Sequence, residues 1–382
     1  MYSMKLFHLA DLHLGKRLGE LSLIPDQQYI LEQIVHLVRL YNPRVVLIAG
    51  DVYDKAAPSA EAVALFDHFL SELESLGVVV FVIAGNHDSG TRLSFGRQIF
   101  EKRGVFIAGH FTGIMEPIEI DGVNFWLLPY LRPGESRRYL EREDIETHEQ
   151  AVRAVLAEAK VATDKINIIL THQFVTGQGT VPMAQCSGDL LLSQSEVSPV
   201  GGMDNVSYTL YDAFDYVACG HLHIPQRVGR DTVRYAGSPL KYSFSEAYYS
   251  KSITIVDIEG KDDIKISTGG LTPVRDMRIL TGPLKEIVEH AEPTDDYVKV
   301  VLTDQLNELP PDPIGILRTV YPNLLNLSFK GSGGEEEVWE PVSPEGRDPL
   351  ELFGEFYRKQ TGCELTEKQT KLVKEVLAHE TY

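Results

Sequence analysis

The sequence predicts an α/β fold in which helices lie outside stacked β-sheets, and two observations support this fold class. Short continuous runs of Val, Ile and Leu alternate with amphipathic stretches over the first 260 residues. Such runs are typical of strands buried on both faces, and the stretches between them carry apolar residues at helical spacing. The 382 residues leave room for about two domains, since domains usually span about 100–200 residues.

The predicted elements of the first part follow one another along the chain. Buried strands are expected at 4–10, 45–49, 78–84, 166–170 and 216–219. Helices are expected at 25–40, 58–76 and 148–160, and the first opens with Pro25 and Asp26, which are typical of a helix start. Alternating apolar residues at 253–258 and 264–267 predict a half-exposed hairpin.

Beyond Thr272 the pattern indicates a smaller α+β unit. Strands are predicted at 277–280, 297–302 and 324–329, and helices at 284–290 and 314–320. The predicted boundaries are 1–271 for the main domain, 272–330 for the small domain, 331–347 for a Gly-rich acidic linker and 348–382 for a helical segment. Two amphipathic stretches in that last segment are too short to form a core, so they either dock on a partner helix or pack back on the main domain.

Charge and cysteine content limit the classes of function. The net charge of −19 argues against binding nucleic acid through bulk charge, which leaves local clusters such as Lys16-Arg17, Arg92 with Arg97, and the arginines at 132, 137, 138 and 142. No run of about 18 apolar residues is present, so no membrane span is expected. The three cysteines have no spacing typical of a disulfide framework, which fits a reducing compartment. The first residues are typical of a strand and not of a signal peptide, so a cytoplasmic protein is expected.

Polar motifs follow the predicted strands at the point where each strand ends. They are Asp11-Leu12-His13, Gly50-Asp51-Val52-Tyr53-Asp54, Gly85-Asn86-His87-Asp88, Thr171-His172 and Gly220-His221-Leu222-His223. Ligands gather at the carboxyl ends of strands in open α/β sheets. The motifs supply seven candidate metal ligands: Asp11, His13, Asp51, Asn86, His172, His221 and His223. Seven oxygen and nitrogen ligands suit two metals that share a carboxylate, a centre that most often hydrolyses phosphoesters.

Spacing suggests how the ligands are shared. Residues i and i+2 of an extended chain face the same way. We therefore expect Asp11 and His13 to bind one ion together, and His221 and His223 to do the same. Asp51 is placed to bridge both ions, because a carboxylate has two oxygens.

Further residues of the motifs are expected to assist the reaction. His87 is predicted to contact the phosphate and to protonate the leaving oxygen. Asp88 is predicted to orient that imidazole or a nearby ligand, and Asp54 to support a ligand histidine. Gly50, Gly85 and Gly220 are expected to permit tight turns and a close approach of the backbone to the metals.

At these residues the chain resembles the calcineurin-like metallophosphoesterase superfamily. Within it, the chain is most similar to the nuclease subunits of bacterial SbcCD complexes. The segments that carry this similarity are 11–15, 50–54, 84–89 and 235–244. The resemblance runs essentially from end to end and implies a four-layer β-sandwich flanked by helices, a small capping domain and a C-terminal helical tail.

The resemblance also implies an activity and a ligand set. The activity would be 3′–5′ exonuclease on double-stranded DNA ends and endonuclease on single strands and hairpins, with Mn²⁺ as the activating metal. Asp11, His13, Asp51 and His223 would hold one ion. Asp51, Asn86, His172 and His221 would hold the other, and His87 would be the catalytic histidine.

Partners follow from the same resemblance. An SbcC-like coiled-coil ATPase would receive the C-terminal segment, and a homodimer within a heterotetramer would form through the helices predicted at 25–40 and 58–76. Two other readings of the residues stay open: a stand-alone phosphodiesterase acting on a small molecule, and a non-catalytic scaffold that binds DNA ends. The extra domain and the tail argue against the first of these, and the intact ligand set argues against the second.

Overall fold

The computed structural model describes residues 3–177, 205–305, 309–330, 350, 353–354, 357, 365–366 and 369–374. The chain divides into two compact units, Met1–Met277 and Arg278–Tyr382. The strands of the first unit are β1 Met4–Leu9, β2 Arg17–Leu18, β3 Leu21–Ser22, β4 Val45–Ala49, β5 Val79–Ile83, β6 Val105–Ala108, β7 Ile118–Ile120, β8 Val123–Leu128, β9 Ile166–Thr171, β10 Phe174–Thr176, β11 Asn205–Ser207, β12 Tyr216–Cys219, β13 Gln226–Val228, β14 Arg230–Tyr235, β15 Lys251–Gly260 and β16 Asp263–Leu271. Its helices are α1 Ile24–Tyr41, α2 Ala60–Ser75, α3 Gly90–Leu93, α4 Arg97–Glu101, α5 Pro133–Leu140 and α6 His148–Glu158.

Two six-stranded sheets form the first unit. The first has the strand order β16-β15-β1-β4-β5-β6, and its strands β1, β4, β5 and β6 run parallel. The second has the order β13-β14-β12-β9-β8-β7, with β14, β12, β9 and β8 parallel. Antiparallel strands close one edge of the first sheet and both edges of the second. The predicted motifs follow β1, β4, β5, β9 and β12, so they lie at the carboxyl ends of the central parallel strands.

The two sheets share an apolar interior. Phe81 of the first sheet stacks on Phe125 of the second, with ring centroids 4.6 Å apart. Helices α1 and α2 contact the first sheet through β16 and β5. On the outer face of the second sheet, the buried Val152 and Val155 of α6 join a cluster with Val217 of β12. The order helix, sheet, sheet, helix confirms the predicted four-layer α/β fold.

Most predicted elements are present with small shifts at their ends. Strands β4 and β12 have the predicted bounds, and α1 is one residue longer at each end than predicted. Helix α1 starts with a proline in its first turn and ends where Asn42 adopts a left-handed conformation, with φ of 48°. Strand β8 has no counterpart among the predictions, because the buried polar Asn124 interrupts its apolar run.

The second unit is a small α+β domain. Its elements are β17 Met277–Gly282, which begins one residue before the unit boundary, α7 Leu284–Glu289, β18 Tyr297–Leu302, α8 Pro313–Val320 and β19 Leu324–Phe329. The strands form one sheet in the order β17-β18-β19, over a core that includes Val298, Val300 and Leu317. All five elements were predicted from the sequence.

The predicted linker 331–347 lies outside the described residues. In the predicted segment 348–382, residues 350, 353–354, 357 and 369–374 are helical, and the Tyr357 hydroxyl accepts a hydrogen bond of 2.9 Å from Gln369 Nε2. Across the part of the chain that the structure describes, no helix combines the length and apolarity needed to cross a membrane.

Candidate metal centre

All seven predicted ligands come together where five central strands end. Asp11 and His13 follow β1, Asp51 follows β4 and Asn86 follows β5, all in the first sheet. His172 follows β9, and His221 and His223 follow β12, in the second sheet. The candidate site therefore takes side chains from both sheets.

One group of ligands consists of Asp11, His13 and His223. Each offers an atom within 4.8 Å of the others, and all three residues are buried. The two Nε2 atoms of His13 and His223 face each other at 3.1 Å. Nδ1 of His13 is buried without a hydrogen-bond partner and lies 3.8 Å from Oδ1 of Asp54. Facing ring nitrogens beside a carboxylate are a donor set that fits a divalent cation.

A second group consists of Asp51, Asn86, His172 and His221. Oδ1 of Asn86 lies 3.1 Å from both Nε2 of His172 and Nδ1 of His221. Nε2 of His172 lies 3.3 Å from Oδ2 of Asp51. Asp11, Asp51 and His172 also offer atoms within 4.8 Å of one another. This mixture of carboxylate, amide and imidazole donors fits a second divalent cation.

Asp51 lies between the two groups. Its Oδ2 atom is 3.3 Å from Nε2 of His172 and 3.6 Å from Nε2 of His13. Its Oδ1 atom accepts a hydrogen bond of 2.9 Å from the main-chain N–H of His87. One oxygen of Asp51 therefore lies near a histidine of each ligand group, as a bridging ligand must.

Burial and mutual charge shift the pKa values of these groups. Burial raises the pKa of Asp11 to about 7 and lowers that of His221 to about 3. For His172, burial acts to lower the pKa, but the charges of Asp51 and Asp11 outweigh it and raise the pKa to about 9. Burial likewise opposes ionisation of Asp51, yet the neighbouring His172 holds its pKa well below the usual range. The ionised Asp51 is therefore paired with a protonated His172, whereas burial disfavours charge on Asp11 and His221.

The backbone of the predicted ligands differs from the expectation. Asp11, His13, Asp51 and His221 have φ of 54°, 43°, 49° and 104°, positive values that residues other than glycine adopt uncommonly. Asp11 and His13 therefore reach the same ligand group, as expected, but not through the extended backbone that was expected to bring them there. Hydrogen bonds hold the strained turns instead, because Asp11 N–H donates to Gly50 O at 3.0 Å and His13 N–H to Asp51 O at 2.9 Å.

Two glycines allow the close packing of the site. Gly50 has φ of 93°, and a Cβ atom added to it would lie 2.2 Å from Nδ1 of His172. A Cβ atom on Gly85 would lie 2.1 Å from Oδ1 of Asp51. Both positions therefore exclude any side chain, as predicted, although the close approach is to ligand side chains.

The predicted assisting residues have distinct surroundings. His87 has a side chain that is 39% exposed, and its Nε2 lies 4.0 Å from Oδ2 of Asp51. Its Nδ1 lies 3.0 Å from the main-chain oxygen of Asp54, and the Asp54 carboxylate lies 2.9 Å from Nζ of Lys16. Lys16, which belongs to the basic cluster Lys16-Arg17, thus forms an ion pair with Asp54 at the site.

Asp88 bonds the main chain near the ligands instead of the ring of His87, which was one of its two predicted partners. Its carboxylate accepts three main-chain hydrogen bonds, from Gly85 at 2.9 Å, Tyr53 at 2.9 Å and Val52 at 3.1 Å. Burial, together with the charge of Asp51, raises its pKa to about 6. Asp88 therefore joins the loops after β4 and β5.

Four polar residues that the sequence did not single out hold the ligand loops. Nε2 of Gln27 donates to His13 O at 2.7 Å, and the Tyr242 hydroxyl donates to Leu12 O. Glu246 and Lys251 are buried beside His223. The resemblance covers the 235–244 segment, but nothing in the spacing of these four residues signals burial.

Comparison with known proteins identifies both parts of the chain. Residues 4–225, more than half of the chain, match the family of calcineurin-like phosphoesterases. Residues 273–361 match the SbcD C-terminal family, described as the type 5 capsule protein repressor C-terminal domain.

Solved structures also match at low sequence identity. A dimetal phosphatase from Danio rerio matches with 12% identity and a TM-score of 0.42, covering 71% of this chain and 98% of its own. The protein TT1561 of Thermus thermophilus matches with 12% identity and a TM-score of 0.40, covering 70% and 99%. YfcE, a phosphoesterase from E. coli, matches with 14% identity and a TM-score of 0.28, covering 70% and 100%.

Members of the phosphoesterase family use divalent metals, and the buried Asp and His groups after β1, β4, β9 and β12 are suited to hold them. The second matching family covers most of the chain beyond the first. The chain belongs to the calcineurin-like phosphoesterase family, and its combination with an SbcD C-terminal domain is consistent with an SbcD-type nuclease subunit.

Proposed function

We propose that this chain is the two-metal DNA nuclease subunit of an SbcCD-type complex. One observation carries the proposal: two ligand groups meet at a single buried carboxylate, Asp51, in a chain that also has the SbcD C-terminal domain. Two adjacent metals are the usual means of cleaving a phosphodiester by in-line attack of water.

The proposed ligands divide into two sets around Asp51. Asp11, His13, Asp51 and His223 would hold one ion. Asp51, Asn86, His172 and His221 would hold the other, and we propose Mn²⁺ for both. When bound, the ions supply positive charge that stabilises the transition state and activates the attacking water.

His87 is the proposed acid of the reaction. A main-chain oxygen can only accept a hydrogen bond, so the contact of 3.0 Å with Asp54 O places a proton on Nδ1 of His87. Nε2 faces the ligand groups, 4.0 Å from Oδ2 of Asp51, and in the doubly protonated ring it carries the proton that passes to the leaving oxygen. Asp54 thereby orients His87, while Asp88 positions the two loops that carry Asp51 and Asn86.

The proposed substrates are DNA ends and hairpins. The chain would act as a 3′–5′ exonuclease on double-stranded ends and as an endonuclease on single strands and hairpins, in DNA recombination, replication and repair in the cytoplasm. The net charge of −19 favours a complex in which an SbcC-like coiled-coil ATPase provides part of the DNA-binding surface. The segment 348–382 is the proposed docking site for that partner.

We also propose a homodimer within a heterotetramer, formed through α1 and α2. Helix α2 exposes Val63, which is 45% accessible and apolar. Light scattering on the purified chain tests this, since a monomer at all concentrations would contradict it.

A nuclease assay tests the main proposal. End-labelled duplex and hairpin DNA are incubated with the purified chain and Mn²⁺, with and without the ATPase partner. His87→Ala is expected to abolish cleavage, because it removes the imidazole that donates the proton to the leaving oxygen. His290→Ala is the matched control, since it removes an exposed histidine of the second unit.

The alternative is a stand-alone phosphodiesterase for a small molecule. It would turn over a chromogenic phosphodiester but would leave DNA intact even when the partner is present. DNA cleavage that His87→Ala retains would contradict the proposed role of His87.

A further inference from the structure

Ser238, Glu246 and Lys251 form a buried polar network beside His223. None of the other predicted ligands belongs to it. Ser238 and Glu246 are 0% exposed and Lys251 is 3% exposed. Nζ of Lys251 donates to His223 O at 2.7 Å, to Ser238 Oγ at 2.8 Å and to Glu246 Oε2 at 2.5 Å. An ammonium group has three N–H donors, and these bonds can use all of them.

The second oxygen of Glu246 is directed at the imidazole ring of His223. Oε1 lies 3.5 Å from Nδ1 of His223 and accepts a hydrogen bond of 3.3 Å from the main-chain N–H of Tyr242. An ionised carboxylate only accepts hydrogen bonds, so its position favours a proton on Nδ1. Nε2 of His223, facing Nε2 of His13 at 3.1 Å, then keeps the lone pair that a metal ligand needs.

The stability of the fold does not by itself account for this arrangement. Removing two charges from water is costly, and an apolar pair of similar volume is often at least as stable as a buried ion pair. Glu246 and Lys251 are both buried, and one of them contacts the ring of a predicted ligand. A carboxylate that holds a ligand histidine from behind raises its basicity and fixes its orientation.

We propose that Glu246 is a positioning residue of the metal centre. It fixes the Nδ1–H tautomer and the ring orientation of His223, and Lys251 holds Glu246 in place. This inference rests on the proposed function, because only there does His223 act as a metal ligand.

Mn²⁺ binding to the full chain tests the inference without any measurement of activity. Titration calorimetry and electron paramagnetic resonance are expected to show two bound ions in the wild-type protein. Glu246→Gln is expected to weaken one of them by about 10–100-fold, the usual effect of losing such a partner. Lys241→Met is the matched control, because Lys241 lies in the same segment but bonds Ala247 O at 2.8 Å and Asp276 at 2.7 Å.

A double variant separates positioning from folding. Glu246→Gln alone leaves the charge of Lys251 buried and can destabilise the protein. Glu246→Met with Lys251→Met removes both charges, so thermal stability is expected to return while Mn²⁺ affinity stays low. If affinity returns together with stability, the network is only structural and the inference is overturned.

The tautomer provides a second measurement, on metal-free protein. Nitrogen-15 NMR of labelled histidine, assigned with His223→Gln, is expected to show the proton on Nδ1 in the wild type. A proton on Nε2 overturns the inference. Wild-type protein that binds no Mn²⁺ overturns the proposed function as well, whereas two bound ions with unaltered variants overturn only the role of Glu246.

Discussion

Replacing Gly85 with alanine would disturb the proposed bridging ligand by a distance that the structure defines. The added Cβ would lie 2.1 Å from Oδ1 of Asp51 and 2.4 Å from its main-chain N, whereas ordinary contacts begin at 3.4 Å. The carboxylate or the loop therefore has to move by about 1.3 Å, the difference between 3.4 and 2.1 Å. A misplacement of about 1 Å at a reacting centre can cost about 100-fold in rate, or roughly 2.7 kcal/mol of transition-state stabilisation.

The assay is Mn²⁺-dependent hydrolysis of a chromogenic phosphodiester, together with Mn²⁺ binding. Gly270→Ala is the control, because a Cβ atom on Gly270 of β16 meets nothing within 4 Å. Gly85→Ala is expected to lose both activity and affinity, and Gly270→Ala neither. If the two variants hydrolyse the ester equally fast, the reasoning from the position of Asp51 is refuted.

Three further predictions follow from groups at the site and in the core. Asp88→Ala removes the charged acceptor of three main-chain N–H groups, so urea unfolding at pH 8 should show a loss of about 3 kcal/mol; an unchanged midpoint would contradict this. Because the pKa of His172 is raised to about 9 and that of Asp11 to about 7, protons compete with metal below those values; Mn²⁺ affinity should therefore rise with pH up to about 9. Calorimetry near pH 7 in buffers of different ionisation enthalpy should detect release of about 1.5 protons, one from His172 and half of one from Asp11, and equal heats in all buffers would argue against it. Phe81→Ala removes the ring stacked on Phe125 and should lower the free energy of unfolding in urea by about 3–5 kcal/mol. A loss no larger than that of a surface substitution would refute this.

The sequence was sufficient to predict where the candidate site lies. Continuous apolar runs identified β4, β5, β9 and β12, and the polar motif after each run had to lie at the same edge of its sheet. The local spacing of the motifs was a poorer guide, because Asp11 and His13 adopt left-handed conformations that depend on hydrogen bonds to the loop after β4.

Contacts that join distant parts of the chain could not be predicted. Glu246 and Lys251 stand in a stretch rich in Ser and Tyr, which reads as a surface loop until the fold buries it beside His223. Asp88 could be assigned to the site, but its partners could not be predicted, since it accepts hydrogen bonds from main-chain amides of two separate loops.

The division of the ligands between the sheets has a thermodynamic consequence. Each proposed ion draws side chains from both halves of the sandwich, so occupancy of the centre and cohesion of the two sheets are linked equilibria. An ion that binds only the assembled sheets stabilises them by an amount that grows with the logarithm of its concentration. A substitution such as Phe81→Ala, in the apolar layer between the sheets, would therefore raise the Mn²⁺ concentration needed to keep the sheets assembled, without contacting any ligand.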